Sequence, residues 1–139
     1  MFLENGYNVI TYDQRSSNEN TAKKTTFGYW EKFDLIDYID FAKEIAPEKN
    51  IGVWGRSFGG ATAIQAAAHK NTQSKLSWII LDCPVSNMEW MIKENMKNMD
   101  IGIPINYMAW CGNIVNKIEL GFTYKDADSA KALKKSCCS

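Results

Sequence analysis

The apolar positions of this chain fall into short continuous runs and helical stripes that take turns along it. "YNVITYD", residues 7–13, is β-branched and aromatic and predicts a buried strand. Residues 1–5 before it read as the end of a helix stopped by Gly6. "QRSSNENTAKKTT", residues 14–26, is polar and aperiodic and predicts a surface loop. From residue 29 to 46, Trp30, Phe33, Ile36, Ile39 and Phe41 interleave with Asp37 and Asp40 at helical spacing, until Pro47 and Asn50 end the pattern. Residues 51–54 predict a second strand, 59–69 a helix of small residues, and "LSWIILD", 76–82, a third strand stopped by Cys83-Pro84. Runs this continuous do not suit a one-sided sheet. They predict an α/β fold of parallel strands covered by helices on both faces and joined by right-handed crossovers.

The second half changes character. Residues 87–99 carry Met88, Met91, Ile92, Met96 and Met99 along one helical face. Residues 105–120 predict an apolar helix holding Tyr107, Met108, Trp110, Ile114, Val115 and Ile118, and 126–135 the capped opening of another. At this spacing the Met and Trp residues read as core packing ahead of substrate contacts. No repeat or low-complexity tract interrupts the sequence.

Composition narrows the class. The chain has 139 residues, enough for one small domain or a piece of a larger one. With 45% hydrophobic and 12% aromatic residues it can build a core and is not compositionally disordered. Sixteen basic and sixteen acidic residues cancel, which leaves no electrostatic footprint for nucleic acid or an anionic membrane. The apolar runs fall far short of the roughly 20 residues of a membrane span, and Met1-Phe2-Leu3 runs into Glu4-Asn5-Gly6 without a signal-peptide pattern. Cys83, Cys111, Cys137 and Cys138 have no C-x-x-C spacing, which fits reduced thiols in a cytoplasmic protein. Nothing in the chain calls for a metal or cofactor.

The chemistry sits at Gly55-Arg56-Ser57-Phe58-Gly59, a G-x-S-x-G between the second strand and the small-residue helix. A nucleophile on so sharp a turn needs neighbours without side chains, so Gly55 and Gly59 are expected where a Cβ would strike the strand or the helix. The helix that follows would aim free N–H groups and its positive end at the reacting oxygen, with the Phe58 N–H donating to an oxyanion. A purely structural serine turn is the plainer alternative. Neither G-x-G-x-x-G spacing nor a P-loop lysine is present, which excludes a phosphate cradle.

Four blocks in order, "VITYDQR" (9–15), "TFGYWEKFDLIDYIDF" (26–41), "GVWGRSFGGATAI" (52–64) and "IILDCPVS" (79–86), resemble the α/β-hydrolase superfamily. The likeness is greatest to bacterial serine hydrolases of esterase, lipase or acyl-aminoacyl-peptidase type. It implies strand four with its Asp-x-Arg loop, the helix leading to strand five, the nucleophile elbow and strand six. The family usually has glycines in the loop after strand four, whereas Gln14 to Asn20 has none. The Met-rich helices fall where a lid would cover an acyl pocket. The implied division is a partial hydrolase core at 1–86, a helical cap at 87–125, and the start of a helix with a truncated tail at 126–139, whose last four residues match no family motif.

In this family the acid and the histidine follow strands seven and eight. The only histidine here, His69, lies ~18 Å from Ser57 along twelve residues of helix and reads as a surface helix-end residue. Asp82, ending strand six, is a minor candidate for the acid, and more simply a turn cap. Asp13 and Arg15 read as an ion pair or loop anchor before site residues. Strand three of the family would lie between residues 7–13 and 51–54. Its absence would leave a gap of ~9.6 Å or a different pairing, with exposed edges open to self-association. The expectation is an internal fragment, inactive alone, of a serine hydrolase that cleaves a small-molecule ester or related acyl bond through Ser57. The alternative is a non-catalytic remnant or interaction module of the same descent.

Overall fold

The computed structural model of the protein describes residues 2–97 and 102–137, with side chains as far as residue 134. A 3-10 turn at Leu3–Asn5 is followed by α1 (Glu31–Ile45), β1 (Gly52–Arg56), α2 (Phe58–Ala67), β2 (Trp78–Asp82), α3 (Met88–Lys97), α4 (Ile105–Leu120) and α5 (Ser129–Cys137). Strands β1 and β2 pair in parallel, with Gly52 opposite Trp78 and Arg56 opposite Asp82. The segment β1–α2–β2 is therefore a βαβ unit, the arrangement that the continuous apolar runs predicted.

Side-chain alternation divides the two faces of this sheet. Val53 and Leu81 turn to the side of α1 and α2, where Leu35, Ile36, Ile39, Ala63 and Ala66 form the core. Trp54 and Ile80 turn the other way and stay 49% and 45% exposed. Among the described residues, helices thus cover one face rather than both. Among the described residues, the rings of Phe2 and Tyr7 lie against the second face, centred 6.3 Å from those of Trp54 and Trp78 respectively. Within α1 the buried apolar positions are Leu35, Ile36 and Ile39, whereas Phe33 and Phe41, and Trp30 just before the helix, remain exposed.

Residues 7–13 do not form the expected buried strand. They join no ladder, and Val9 and Ile10 are exposed. A β-branched run becomes a strand only when a neighbour takes its N–H and C=O groups, and no described strand lies beside this one. Tyr12 is its anchor, stacked on Tyr38 at 4.4 Å and packed against the α1–α2 core. Burial pushes the Tyr12 phenol up to about 12.

The loop that follows turns without glycine. Ser16 and Asn18 take the positive φ values, 59° and 46°, and short backbone bonds from Ser17 to Gln14 and from Asn20 to Ser17 close the turns. Asp13 and Arg15 do not pair with one another. The Asp13 carboxylate accepts from the Asn18 amide at 3.1 Å, and Arg15 donates two bonds of 2.7 Å to Asp34 on α1. Each anchors one end of the loop.

Glu31 opens α1 almost fully buried, at 1% exposure. Its carboxylate accepts from the N–H groups of Thr26 and Gly28, at 2.6 and 2.9 Å, and from the hydroxyls of Thr25 and Thr26. The Thr26 hydroxyl in turn accepts from the Trp30 N–H at 2.9 Å and supplies the cap that Trp30 itself cannot. Four donors around one buried carboxylate offset its loss of water.

Two caps tie the start of α3 to the start of α5. Asn87 accepts from the Trp90 N–H and Asp128 from the Lys131 N–H, and the Asn87 amide donates to Asp128 at 3.0 Å. Beneath them Met88, Phe122, Tyr124 and Ala127 form a second core. Helix α4 has the expected bounds, but most of its apolar side chains are not packed into a core. Only Ala109 on it is buried, while Tyr107, Trp110 and Ile118 are 58%, 58% and 78% exposed, because no described element covers that side. Met99 and the terminal Cys138 and Ser139 lie outside the described residues. Among the described residues no helix is long and apolar enough to cross a membrane, and Cys83 and Cys111 are free thiols.

Tyr12 supplies a test of this packing. The unfolded chain would ionise it near the ordinary value of 10.0, the folded chain near 12. The folded state is favoured while both forms are neutral, so stability should fall as pH rises from 10 toward 12. Spectrophotometric titration should show a late tyrosine step that Tyr12→Phe removes; a late step unchanged in that variant would contradict the packing.

Candidate active site

Strand β1 ends at Arg56 and helix α2 begins at Phe58, so the chain turns within one residue. That residue, Ser57, has φ 51° and ψ −115°. An L-residue held there carries a strain of about 1–3 kcal/mol and needs its surroundings to hold it. They do so through the backbone. The Ser57 N–H donates to the Asp82 carbonyl at 2.9 Å, and the Ser57 carbonyl accepts from the N–H groups of Ala61 and Val85 at 3.2 and 3.3 Å. Ser57 occupies the N-cap position of α2, where a serine hydroxyl normally accepts from the first turn, yet its Oγ makes no cap bond. With both main-chain groups engaged, an exposed hydroxyl is left over.

The steric demand of the turn falls on Gly55 and Gly60. A Cβ on Gly55 would lie 2.4 Å from the Gly59 carbonyl oxygen, and one on Gly60 would lie 2.8 Å from Cβ of Pro84. A Cβ on Gly59 would meet only the Gln14 amide, at 3.8 Å. The expectation for Gly59 is therefore corrected. Its backbone is what Gly55 must avoid, and its own lack of a side chain is not required. The doubled glycine of "SFGG" was the signal for Gly60.

Phe58 is the first residue of α2, so its N–H has no intrahelical acceptor and stands at the positive end of the helix. Its ring is 39% exposed and centred 5.6 Å from that of Phe27. Phe27 belongs to the loop that Glu31 holds, a contact that sequence periodicity did not reveal. Gly28, at φ 93°, brings this loop against the backbone of α2, where a Cβ would lie 3.2 Å from the Thr62 nitrogen.

Asp82 contributes its backbone carbonyl to Ser57, while its carboxylate lies 3.5 Å from the Arg56 guanidinium in an exposed pair. His69 lies beyond the far end of α2, half-buried rather than on the surface. Its ring stands edge-on to Phe33 at 5.6 Å, and its enclosed Nδ1 has no partner. The structure brings Ser57, Phe58 and the Asp82 backbone together and leaves the imidazole away from them. Among the described residues no group of acidic, histidine and cysteine side chains could hold a metal ion. A groove of about 360 Å³ between Arg15, Lys24, Trp30 and Glu119 contains none of the residues of the Ser57 turn.

A family model described as alpha/beta hydrolase fold matches residues 2–104. Uncharacterized protein YqkD of Bacillus subtilis (strain 168) is 35% identical over 86 residues, which are 60% of this chain and 28% of that protein. No solved structure matches the chain.

The glycines of the turn separate by substitution. Gly55→Ala should lower stability by about 1–3 kcal/mol or prevent folding, since backbone must move to admit the methyl group. Gly59→Ala should stay within about 1 kcal/mol of the parent, because helical alanine is favoured there and the space is open. Urea midpoints measure both, and a larger loss at Gly59 would contradict the geometry.

Proposed function

The chain belongs to the alpha/beta hydrolase fold family, and on that premise we propose that it carries the nucleophile of a serine hydrolase acting on a carboxylic ester or related acyl bond. The observation that carries this reading is the hydroxyl of Ser57, exposed on a residue whose strained backbone is bound on both sides. In the proposed reaction Oγ attacks the acyl carbon and the carbonyl π electrons move onto oxygen. The Phe58 N–H donates to that oxyanion. Collapse expels the leaving group with a proton and leaves an ester on Ser57, which water then hydrolyses.

A serine hydroxyl needs a base to accept its proton. The remote position of His69 argues against that residue. The chain spans 28% of the length of the Bacillus protein it matches. For the whole protein, we place the histidine and the acid of the relay outside the described residues, as the family resemblance implies. Asp82, one register step from Ser57 at the end of β2, is the reserve candidate for the acid. The helices α3 and α4 would form the cap over the acyl pocket, with their Met and Trp side chains as its adaptable wall. Free Cys83 and Cys111 fit a reducing compartment such as the cytoplasm. The remoteness of His69 also favours a second reading, a non-catalytic interaction module of the same descent.

The two readings part on one experiment. The full-length gene product should take up a fluorophosphonate probe, and Ser57→Ala should abolish the labelling. Equal labelling of the variant would exclude Ser57 as the nucleophile, and no labelling of either protein would favour the second reading.

A further inference from the structure

We propose that Phe27 selects acyl chain length at the Ser57 site, favouring esters with apolar chains longer than acetyl, and that Glu31 is the positioning residue that keeps it there. The inference rests on the Ser57 reading and adds a substrate class to it.

Phe27 has φ 57° and is followed by Gly28 at φ 93°, two left-handed residues in succession. Glycine adopts this readily, whereas phenylalanine does so only under constraint. The constraint is the buried Glu31 carboxylate, which binds the N–H groups of Thr26 and Gly28 on either side of Phe27. Gly28 is seated on the backbone of α2 at Ala61 and Thr62, so the loop cannot move inward. Together these contacts hold the Phe27 ring 5.6 Å from that of Phe58 at an angle of 41°. Phe58 adjoins Ser57 and bears the N–H proposed for the oxyanion. On its other side Phe27 packs against the core formed by Met88 and Phe122.

An aromatic surface therefore runs from the residue beside the nucleophile toward the helical half. Phe58 remains partly uncovered. A longer acyl chain bound at Ser57 extends further along this surface than an acetyl group does. Each methylene buried in such contact is worth about 0.8 kcal/mol, so the preference grows with chain length.

The test compares kcat/KM for p-nitrophenyl hexanoate and p-nitrophenyl acetate on the full-length gene product. The ratio cancels the fraction of active protein, so a variant that merely folds less well leaves it unchanged. Wild type should prefer hexanoate, and Phe27→Ala should lower the ratio about 10-fold. Glu31→Gln replaces one acceptor oxygen by an amide donor facing other donors, and should lower the ratio in the same direction. Phe27→Leu keeps an apolar side chain but loses the outer part of the ring, and should lower the ratio by a smaller factor, about 3-fold, which provides the test should the alanine variant fail to fold. A ratio unchanged in Phe27→Leu or Phe27→Ala, or no preference in a wild type that labels on Ser57, overturns the inference. Absence of labelling on Ser57 overturns the serine hydrolase reading itself, and this inference with it.

Discussion

One hydrogen bond organises the molecule around Ser57, the 2.9 Å bond from its backbone N–H to the carbonyl of Asp82. It forms between the ends of two parallel strands whose register sets Arg56 opposite Asp82. Beyond that pair β1 must turn at once into α2, and the bond holds the turning residue in a conformation that serine does not choose. The carbonyl of the same residue accepts from α2 and from Val85 after β2, so Ser57 is tied to three segments. Gly55 and Gly60 then let strand, helix and Pro84 approach closely enough for those bonds to form. A hydroxyl released from capping is the consequence.

The packing beneath explains why the turn can bear the strain. Ala63 and Ala66 of α2 meet Leu35, Ile36 and Ile39 of α1 against Val53 and Leu81, which anchors the helix whose first turn is under load. A second strained residue, Phe27, lies against the same end of α2 and is held by different means. There a buried carboxylate collects the N–H groups of a loop instead of a neighbouring strand supplying a carbonyl. Strain at both places is offset by main-chain hydrogen bonds more than by apolar contact, as expected where a fold must present a side chain rather than bury it.

Much of this was legible from spacing. Continuous apolar runs located β1 and β2, helical spacing located α1, a run of small residues located α2, and α4 occupies the predicted residues 105–120. Pattern failed where the outcome depended on a neighbour. Residues 7–13 have the composition of a strand but no ladder to join, and α4 has apolar side chains on a side that no described element covers. The serine turn was legible as a motif, yet the motif assigned the second steric demand to Gly59 when Pro84, distant in sequence, places it on Gly60. Glu31 carries no signal in the sequence pattern. Its burial depends on Thr25, Thr26 and Gly28 folding back over it, a convergence that periodicity does not encode. Arg15 likewise found Asp34, nineteen residues away, rather than its near neighbour Asp13.

Strain at Ser57 is the claim on which the account stands, and a pair of substitutions isolates it. Ser57→Gly and Ser57→Ala both remove the hydroxyl and differ in the backbone they tolerate. Held at positive φ, glycine should be the more stable variant by about 1–2 kcal/mol in urea unfolding. In an ordinary strand or helix position alanine would lead by about 0.5–1 kcal/mol, and that order, if found, would contradict the account.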